Sequence, residues 1–354
     1  MGSGSYHAWA VREEDFPRSG SMVDQLGFLL RYAVLAPSAH NTQPWTFRIE
    51  GNHIALYPDF SRALSVSDPT HRELYLSLGC ALANLLVAAD HFGFRTVIEE
   101  FPPGPGNPVA RVAVVVGGPT TPQNDALFSA IPRRHTNRGR YESRAVPIDI
   151  LQRLRGQVGD AAVRLDIVTQ QEKIQALANL TAQATLETLG RSDFRAELSQ
   201  WVRNNFTRKQ DGMPGFSVGV PALPSFLAPF MVRVPKMATV EAKKARDLIG
   251  SSPLVAVIST REDTSSQWVK AGMALERIAL AATAAGLRSA PYAGPFEAGK
   301  LHEHVELLLG VTGYRAQTLL RIGYGPPDPR PSPRRPAEDV TVSADVSNLK
   351  EKTP

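Results

Sequence analysis

The apolar positions of the chain follow two different periods. They recur every three to four residues in "QLGFLLRYAVL" (25–35), "SLGCALANLLVAADHFGFRT" (77–96) and "KAGMALERIALAATAAGLRS" (270–289), which is typical of α-helices. In "WTFRIEGNHIALYPD" (45–59) they alternate on both sides of a Gly-Asn pair, which indicates a β-hairpin. The run "PLVAVIST" (253–260) is continuously apolar and predicts a buried strand. Helices and strands mixed in this way predict an α+β fold.

Two of the predicted helices match each other without a gap. When 77–96 is laid on 270–289, Gly79 falls on Gly272, and Gly93 falls on Gly286 where a C-terminal cap would use it. Small residues near the start of a helix allow another backbone to approach closely.

The β-rich runs that follow the two helices have similar endings, "RVAVVVGGP" (111–119) and "TLLRIGYGP" (318–326). We interpret the chain as two similar halves, 22–131 and 132–341, joined like a fused homodimer. A tail follows at 342–354.

A segment without any period interrupts the second half. Helical patterns at 173–189 and 194–206 are followed by "DGMPGFSVGVPALPSFLAPFMVRVP" (211–235), which is dense in Pro, Gly and aromatic residues. A long apolar loop inside a domain more often forms a lid or a binding wall than a linker. We therefore predict a lid-like insertion at 207–245.

Composition narrows the class of protein. The chain has 354 residues, of which 43% are hydrophobic and 21% charged, as expected for an ordinary globular protein. Its net charge is +5, but the basic residues are spread along the chain, which disfavours nucleic acid as a partner. A single cysteine, Cys80, excludes a disulfide framework or a cysteine-cluster metal site. We expect no membrane partner, because no apolar run approaches the ~18 residues of a membrane span. We also expect no metal and no secretion signal, and therefore a cytoplasmic protein.

Arginines in three separate places suggest a common anion. "RRHTNRGRY" (133–141) clusters arginines around Thr136, and guanidinium forks with a hydroxyl suit a phosphate monoester. Arg334 and Arg335 form a second basic group in the C-terminal extension, where Arg330 is expected to be exposed and uninvolved. Arg321 interrupts an apolar strand, where an unpaired charge would be costly. A solvated basic turn remains an alternative for the 133–141 cluster alone.

Four strings together carry a resemblance to a known family. "APSAHNTQPWTF", "RRHTNR", "LLRIGYG" and "PRRPAEDV" resemble segments of the nitroreductase-like FMN-binding superfamily, in particular its double-length, internally duplicated Acg-type branch. The resemblance covers residues 22 to 341 in the same order. It implies a nitroreductase-like fold with two pseudo-symmetric halves, each a mixed sheet flanked by helices, and one FMN site assembled from both halves.

The resemblance also implies roles for particular residues. Four groups of residues correspond to the family's FMN contacts, and we expect them to bind the cofactor. The phosphate-binding turn corresponds to Arg134, Thr136 and Arg138, and either Arg133 or Arg134 faces the phosphate. The C-terminal basic contact corresponds to Arg334 and Arg335, with Arg321 as a further cation, and the loop at the polar edge of the ring corresponds to Pro37, Ser38, Asn41 and Gln43. The string "GPFEAG" (294–299), with Pro295, resembles the segment whose backbone N–H at Glu297 meets flavin N5. Ala298 stands where that segment frequently has glycine, which weakens the last correspondence.

The predicted activity follows from the same resemblance. It implies an oxidoreductase in which NAD(P)H reduces FMN and a flat acceptor, a quinone or a nitroaromatic, is then reduced by a ping-pong mechanism. The alternative is an FMN-sequestering protein in which the 211–235 segment covers the flavin and turnover is small or absent. A basic interaction module without flavin is a third interpretation, but it leaves the Pro-Ser-Asn loop unexplained. The sequence leaves open the acceptor, the choice between NADH and NADPH, and a monomeric pseudo-dimer or a true homodimer.

Overall fold

The computed structural model describes residues 4–104, 106–117, 120–326 and 330–342. The strands within these ranges are β1 (Trp45–Glu50), β2 (His53–Pro58), β3 (Phe94–Glu100), β4 (Ala110–Val116), β5 (Val163–Val168), β6 (Val202–Arg203), β7 (Met213–Pro214), β8 (Leu254–Thr260), β9 (Arg288–Tyr292), β10 (Arg315–Gly323) and β11 (Thr341–Val342). The helices are α1 (Met22–Ala33), α2 (Arg72–His91), α3 (Pro122–Ala130), α4 (Ile148–Arg155), α5 (Gln171–Gly190), α6 (Ser192–Trp201), α7 (Ala228–Met231), α8 (Lys236–Gly250), α9 (Ser265–Ala284), α10 (Gly294–Glu297), α11 (Leu301–Leu309) and α12 (Ala337–Val340). The predicted α+β fold is confirmed.

The two larger sheets have the same topology. Four strands of the first sheet have the order β1-β2-β4-β3, and the second sheet has the order β5-β8-β10-β9, with every one of these neighbours antiparallel. In each set of four strands a 20-residue helix, α2 or α9, precedes the last two strands along the chain. This correspondence supports the interpretation of two similar halves, and the duplication itself stays a prediction.

The helices α2 and α9 cross at the centre of the molecule with their backbones in contact. A Cβ atom added to Gly79 would lie 2.1 Å from the carbonyl oxygen of Val269, and one added to Gly272 would lie 2.0 Å from that of Leu76. Each of these carbonyls belongs to the residue three positions before the opposite glycine. A two-fold axis between the helices would produce such reciprocal contacts. Only glycine fits at either position.

Helix α2 is long and apolar enough to cross a membrane, judged by length and composition alone. This differs from the expectation that no apolar run approaches the length of a membrane span, because polar residues interrupt the apolar positions of α2. In the structure 78% of the apolar window is buried inside the protein, largely against α9. Helix α2 is therefore a core helix of this fold.

The C-terminal segment crosses from the second half to the first. Strand β11 pairs in parallel with β1, with Thr341 opposite Phe47, and becomes the edge strand of the first sheet. The predicted boundary at 131/132 therefore does not separate the strands of the two sheets, because this late segment completes the earlier sheet. Of the tail predicted at 342–354, all but Val342 lies outside the described residues.

The lid-like segment is folded in short pieces rather than being one open loop. It contains β7, which pairs with β6, and two 3-10 turns at Gly215–Val218 and Pro224–Leu227. Helix α8 begins at Lys236, inside the predicted 207–245 insertion, and packs along α5. Helix α6 ends at Trp201 instead of the predicted residue 206, because the next two residues pair with β7.

Candidate active-site cleft

Two adjoining cavities lie between the first-half loop at 37–41, the turn at 134–139 and the lid-like segment. Their volumes are about 320 Å³ and about 410 Å³, within the range typical of small-molecule sites. We call them the basic cavity and the apolar cavity. The residues that line both are Pro37, Ser38, His40, Thr136, Arg138, Met213, Val218 and Lys244. The two cavities therefore form one continuous cleft.

The basic cavity is lined by five cationic side chains. They come from the 134–139 turn, from helix α8 and from the C-terminal segment: Arg134, Arg138, Lys244, Arg330 and Arg334. Among the described residues no aspartate or glutamate lines this cavity. An environment of this kind favours a multiply charged anion such as a phosphate monoester.

Two of the arginines that line this cavity are themselves buried in its wall. Arg134 is 3% exposed, and its Nε lies 2.9 Å from Oε1 of Glu276, which is fully buried in α9. Arg334 is 5% exposed and donates from Nη1 to Oδ1 of Asn41 at 2.7 Å, while its buried Nε has no hydrogen-bond partner within the described part of the chain. Burial and the neighbouring charge of Arg134 lower the pKa of Arg334 to about 9. One carboxylate thus faces two buried guanidinium groups, and this excess of positive charge fits a dianionic phosphate.

The apolar cavity has walls from both halves of the chain and from the lid-like segment. Leu76 and Cys80 come from α2, Leu275 from α9, Tyr292 from β9 and Met231 from α7. The Cys80 thiol is buried, and burial raises its pKa, so it remains protonated. A largely apolar cavity of this type suits an aromatic ring system.

Three carboxyl groups line this cavity, Glu73, Glu241 and Glu297, and burial shifts the pKa of Glu73 and of Glu297. Burial raises the pKa of Glu73 to about 7, although Nη2 of Arg72 lies 2.9 Å from its Oε1. Burial, followed by the charge of Glu73, raises the pKa of Glu297 to about 8. Near neutral pH these two side chains therefore retain protons that an exposed carboxyl group would have released.

The loop that begins at Pro37 is held in an unusual backbone conformation. His40, Asn41 and Gln43 have φ values of 48°, 57° and 53°, in the left-handed region that non-glycine residues seldom adopt. The Asn41 side chain donates to the carbonyls of Gly212 and Pro333, and Ser38 Oγ accepts from the Gln43 N–H at 2.9 Å. These side chains tie the loop to the lid-like segment and to the C-terminal segment, which offsets the strain.

The structure brings most of the sequence-predicted site residues to the cleft. The side chains or backbone of eight of them line one or both cavities: Pro37, Ser38, Asn41, Arg134, Thr136, Arg138, Arg334 and Glu297. Five others do not line either cavity: Gln43, Arg133, Pro295, Arg321 and Arg335. For these five, direct contact with a cofactor in the cleft is not supported.

Each of the five has another position in the structure. Arg321 is fully buried in β10, donates from Nη2 to the carbonyls of Asn137 and Gly139 at 2.8 Å each, and stacks on Tyr141, so it supports the turn from behind.

Arg133 is exposed and donates to the Ser129 carbonyl, so Arg134 is the member of the pair that faces the cleft. The Arg335 N–H donates to Oε1 of Gln43, which places this pair in the junction between the C-terminal segment and the loop. Pro295 is buried in α10.

Sequence reasoning also missed several residues of the cleft. Arg330, expected to be uninvolved, lines the basic cavity and lies over the ring of Phe216 at 3.8 Å. Lys244 lies in a helix that begins within the supposed lid, and Glu73 lies six residues before Gly79 in the repeated helix, a position that no motif marks. Trp9 joins the basic cavity from the N-terminal segment, and its Nε1 donates to the Ser332 carbonyl. Only their proximity in the fold identifies them.

Comparison with known proteins places this chain in one family. The sequence profile of the Nitroreductase family matches residues 131–324, more than half of the chain. The protein belongs to the Nitroreductase family, and the resemblance seen in the sequence is confirmed.

Individual relatives extend over most of the chain. "Putative NAD(P)H nitroreductase Rv3131" of Mycobacterium tuberculosis is 31% identical over 326 residues, which are 88% of this chain and 89% of that protein. "Putative NAD(P)H nitroreductase acg" of the same organism is 29% identical over 90% of this chain and 95% of its own length. Among solved structures, the FMN and NADPH-dependent nitroreductase NfnB from sphigopyxis sp. strain HMH matches with a TM-score of 0.42 and 20% identity, over 60% of this chain and 96% of that one.

Proposed function

We propose that the protein is an FMN-dependent oxidoreductase that passes electrons from NAD(P)H to a small flat acceptor. The continuity between a five-cation basic cavity and a largely apolar cavity carries this proposal, because FMN joins a phosphate to an aromatic ring system. Two relatives that span most of the chain carry the name "Putative NAD(P)H nitroreductase", which supports the same reaction class. When bound, FMN supplies the electron-transfer chemistry.

The residues of the cleft divide the work of holding FMN. Arg134, Arg138 and Arg334 would bind the phosphate, with Thr136 contributing its hydroxyl at the junction of the two cavities. The Pro37–Ser38 backbone and the segment that ends at Glu297 would border the ring. Arg321 acts from behind, because it fixes two carbonyls of the turn and thereby orients the phosphate-binding residues.

The two protonated carboxyl groups suit the second part of the reaction. Reduction of a quinone or a nitro group consumes protons as well as electrons. Glu297 and Glu73 hold protons near neutral pH, so they can donate them to the oxygen atoms of a reduced acceptor. The reductant and the acceptor need the same apolar cavity, so we propose that they occupy it in turn, as a ping-pong mechanism requires.

A second candidate function rests on the lid-like segment. Val220, Ala228 and Met231 form part of the apolar cavity wall, so this segment stands where an acceptor would have to enter. A closed segment would leave a protein that sequesters FMN with little turnover. Anaerobic titration with NADPH and NADH distinguishes the two functions. Bleaching of the flavin absorbance by a nicotinamide supports the enzyme, whereas a flavin that dithionite alone can reduce supports sequestration.

The cofactor site itself is tested by matched arginine variants. Arg138→Ala removes a cation shared by both cavities, whereas Arg133→Ala removes a nearby exposed one. A hydrogen bond to a charged group contributes about 1.5–3 kcal/mol, so we expect Arg138→Ala to weaken FMN binding by about 10- to 150-fold. Arg133→Ala should leave the dissociation constant, measured by equilibrium dialysis, within about twofold. Equal losses in the two variants would contradict the assigned phosphate site.

A further inference from the structure

The outer side of the lid-like segment carries an unusual concentration of exposed apolar side chains. Among the described residues, 16 large hydrophobic side chains are exposed, and eight of them lie between residues 206 and 240. Six of these define what we call the apolar patch, with exposed fractions between 41% and 80%: Phe206, Leu223, Phe226, Leu227, Phe230 and Met231. Phe206 lies immediately before the 207–245 insertion, and its ring stacks on that of Phe226 at 5.4 Å, so the patch extends beyond the insertion. Exposed apolar side chains that are grouped together in this way mark interaction surfaces.

The same segment carries most of the net charge of the protein. Residues 207–245 contain six lysines and arginines but only Asp211 and Glu241 as acids, which gives a net +4 of the chain's +5. Asp211 is already paired with Arg62 and Arg203, and Glu241 lines the apolar cavity. Four of the basic residues are exposed beside the patch in the sequence: Arg208, Lys209, Arg233 and Lys236.

The combination of exposed apolar and basic side chains distinguishes between a second copy of the protein and a lipid surface as the partner of the apolar patch. Two copies of the segment facing each other would repel, because each carries the same positive charge. An anionic lipid surface complements both features, since it attracts the basic side chains and accepts the apolar ones at the headgroup boundary. We propose that the lid-like segment docks the protein on membranes that contain anionic phospholipids. The sequence predicted no membrane partner because it contains no apolar run long enough to span a bilayer. Docking of a surface segment on a membrane does not require such a run.

The position of the patch connects docking to the cleft. Met231 is 41% exposed and also lines the apolar cavity, together with Ala228 and Val232 of the same segment. A docked segment would place the mouth of this cavity at the lipid surface, where a lipophilic acceptor of the quinone type is concentrated. This last step rests on the proposed function, whereas docking itself does not.

Vesicle co-sedimentation tests the proposal with the full-length protein. We expect binding to vesicles of equal parts phosphatidylglycerol and phosphatidylcholine, weakened by salt, and little binding to pure phosphatidylcholine. Removing two exposed charges in Lys209→Gln/Lys236→Gln should weaken binding about 25-fold, since each basic residue contributes about fivefold near an anionic surface. Phe226→Ser/Phe230→Ser should weaken it at least about tenfold.

The control variant is Leu307→Ser, on α11 and 81% exposed, which should bind vesicles as the unaltered protein does. Absence of binding to the anionic vesicles, or equal binding by the control and the patch variants, would overturn the proposal. Sedimentation velocity gives a further outcome, because a dimer that Phe226→Ser/Phe230→Ser dissociates would assign the patch to a second copy instead. FMN binding measured in parallel keeps the two proposals separate, since vesicle binding without FMN binding would refute only the proposed function.

Discussion

Substituting Gly79 tests the contact between α2 and α9 that joins the two sheets. The added Cβ of Gly79→Ala would lie 2.1 Å from the Val269 carbonyl oxygen, a backbone atom that cannot rotate away. A distance below 3.0 Å essentially never occurs for a real Cβ, so the helices must separate by at least about 0.9 Å. A gap of that size forfeits a quarter to a half of each dispersion interaction along the crossing.

The expected effect is a net loss of stability. Overpacking that shifts the backbone costs about 1–3 kcal/mol, and the looser packing along a crossing between two 20-residue helices adds to this cost. Alanine favours a helix interior over glycine by about 1 kcal/mol, which offsets part of the cost. We expect the free energy of unfolding to fall by about 2–4 kcal/mol.

Urea unfolding of the cofactor-free protein, followed by circular dichroism, measures this loss as a lower midpoint at an unchanged slope. Gly27→Ala is the control, because it lies inside α1 with no described atom within 4 Å of the added Cβ and should stabilise by up to about 1 kcal/mol. Gly272→Ala should lose as much as Gly79→Ala, since its Cβ would meet Leu76 at 2.0 Å. A Gly79→Ala protein as stable as Gly27→Ala would refute the close contact.

Two further predictions concern the cleft. The pKa values of Glu73 and Glu297 are raised to about 7 and about 8 in the folded protein. The folded protein therefore holds protons that the unfolded chain releases above about pH 4.5. The stability of the folded state should fall as pH rises from about 5 through 8. Thermal melts of the cofactor-free protein at several pH values should show a smaller decline in Glu297→Gln. The control variant Glu303→Gln, which removes an exposed carboxyl group, should keep the full decline. A decline that is unchanged in Glu297→Gln would contradict the raised pKa. Arg321→Met should lower both stability and FMN affinity, because the Asn137 and Gly139 carbonyls lose a buried donor at a cost of about 1–3 kcal/mol. Unchanged FMN binding would show that the turn keeps its shape without Arg321.

Local pattern was sufficient for the regular elements and for part of the site. The hairpin at 45–59 and the repeated helices lie where period and turn residues predicted them, because helix and strand periods record which face is buried. The Arg134, Thr136 and Arg138 turn could also be found, since charged hydrogen-bonding residues at close spacing form a local signal. The sequence did not separate Arg134 from Arg133, because adjacent residues point in different directions and only the backbone determines which one is buried.

The sequence by itself thus determined the α+β class, the two matched helices and the clustering of cationic side chains in the turn. The tertiary structure alone decided that Arg321 supports this turn from behind, that Arg330 and Lys244 reach the basic cavity, and that Glu73 and Glu297 share the apolar one. These pairs are far apart along the chain, and their proximity depends on how α2 crosses α9 and on where the C-terminal segment joins β1. A pKa or a binding role that arises from such neighbours depends on burial and distance, which no stretch of sequence contains.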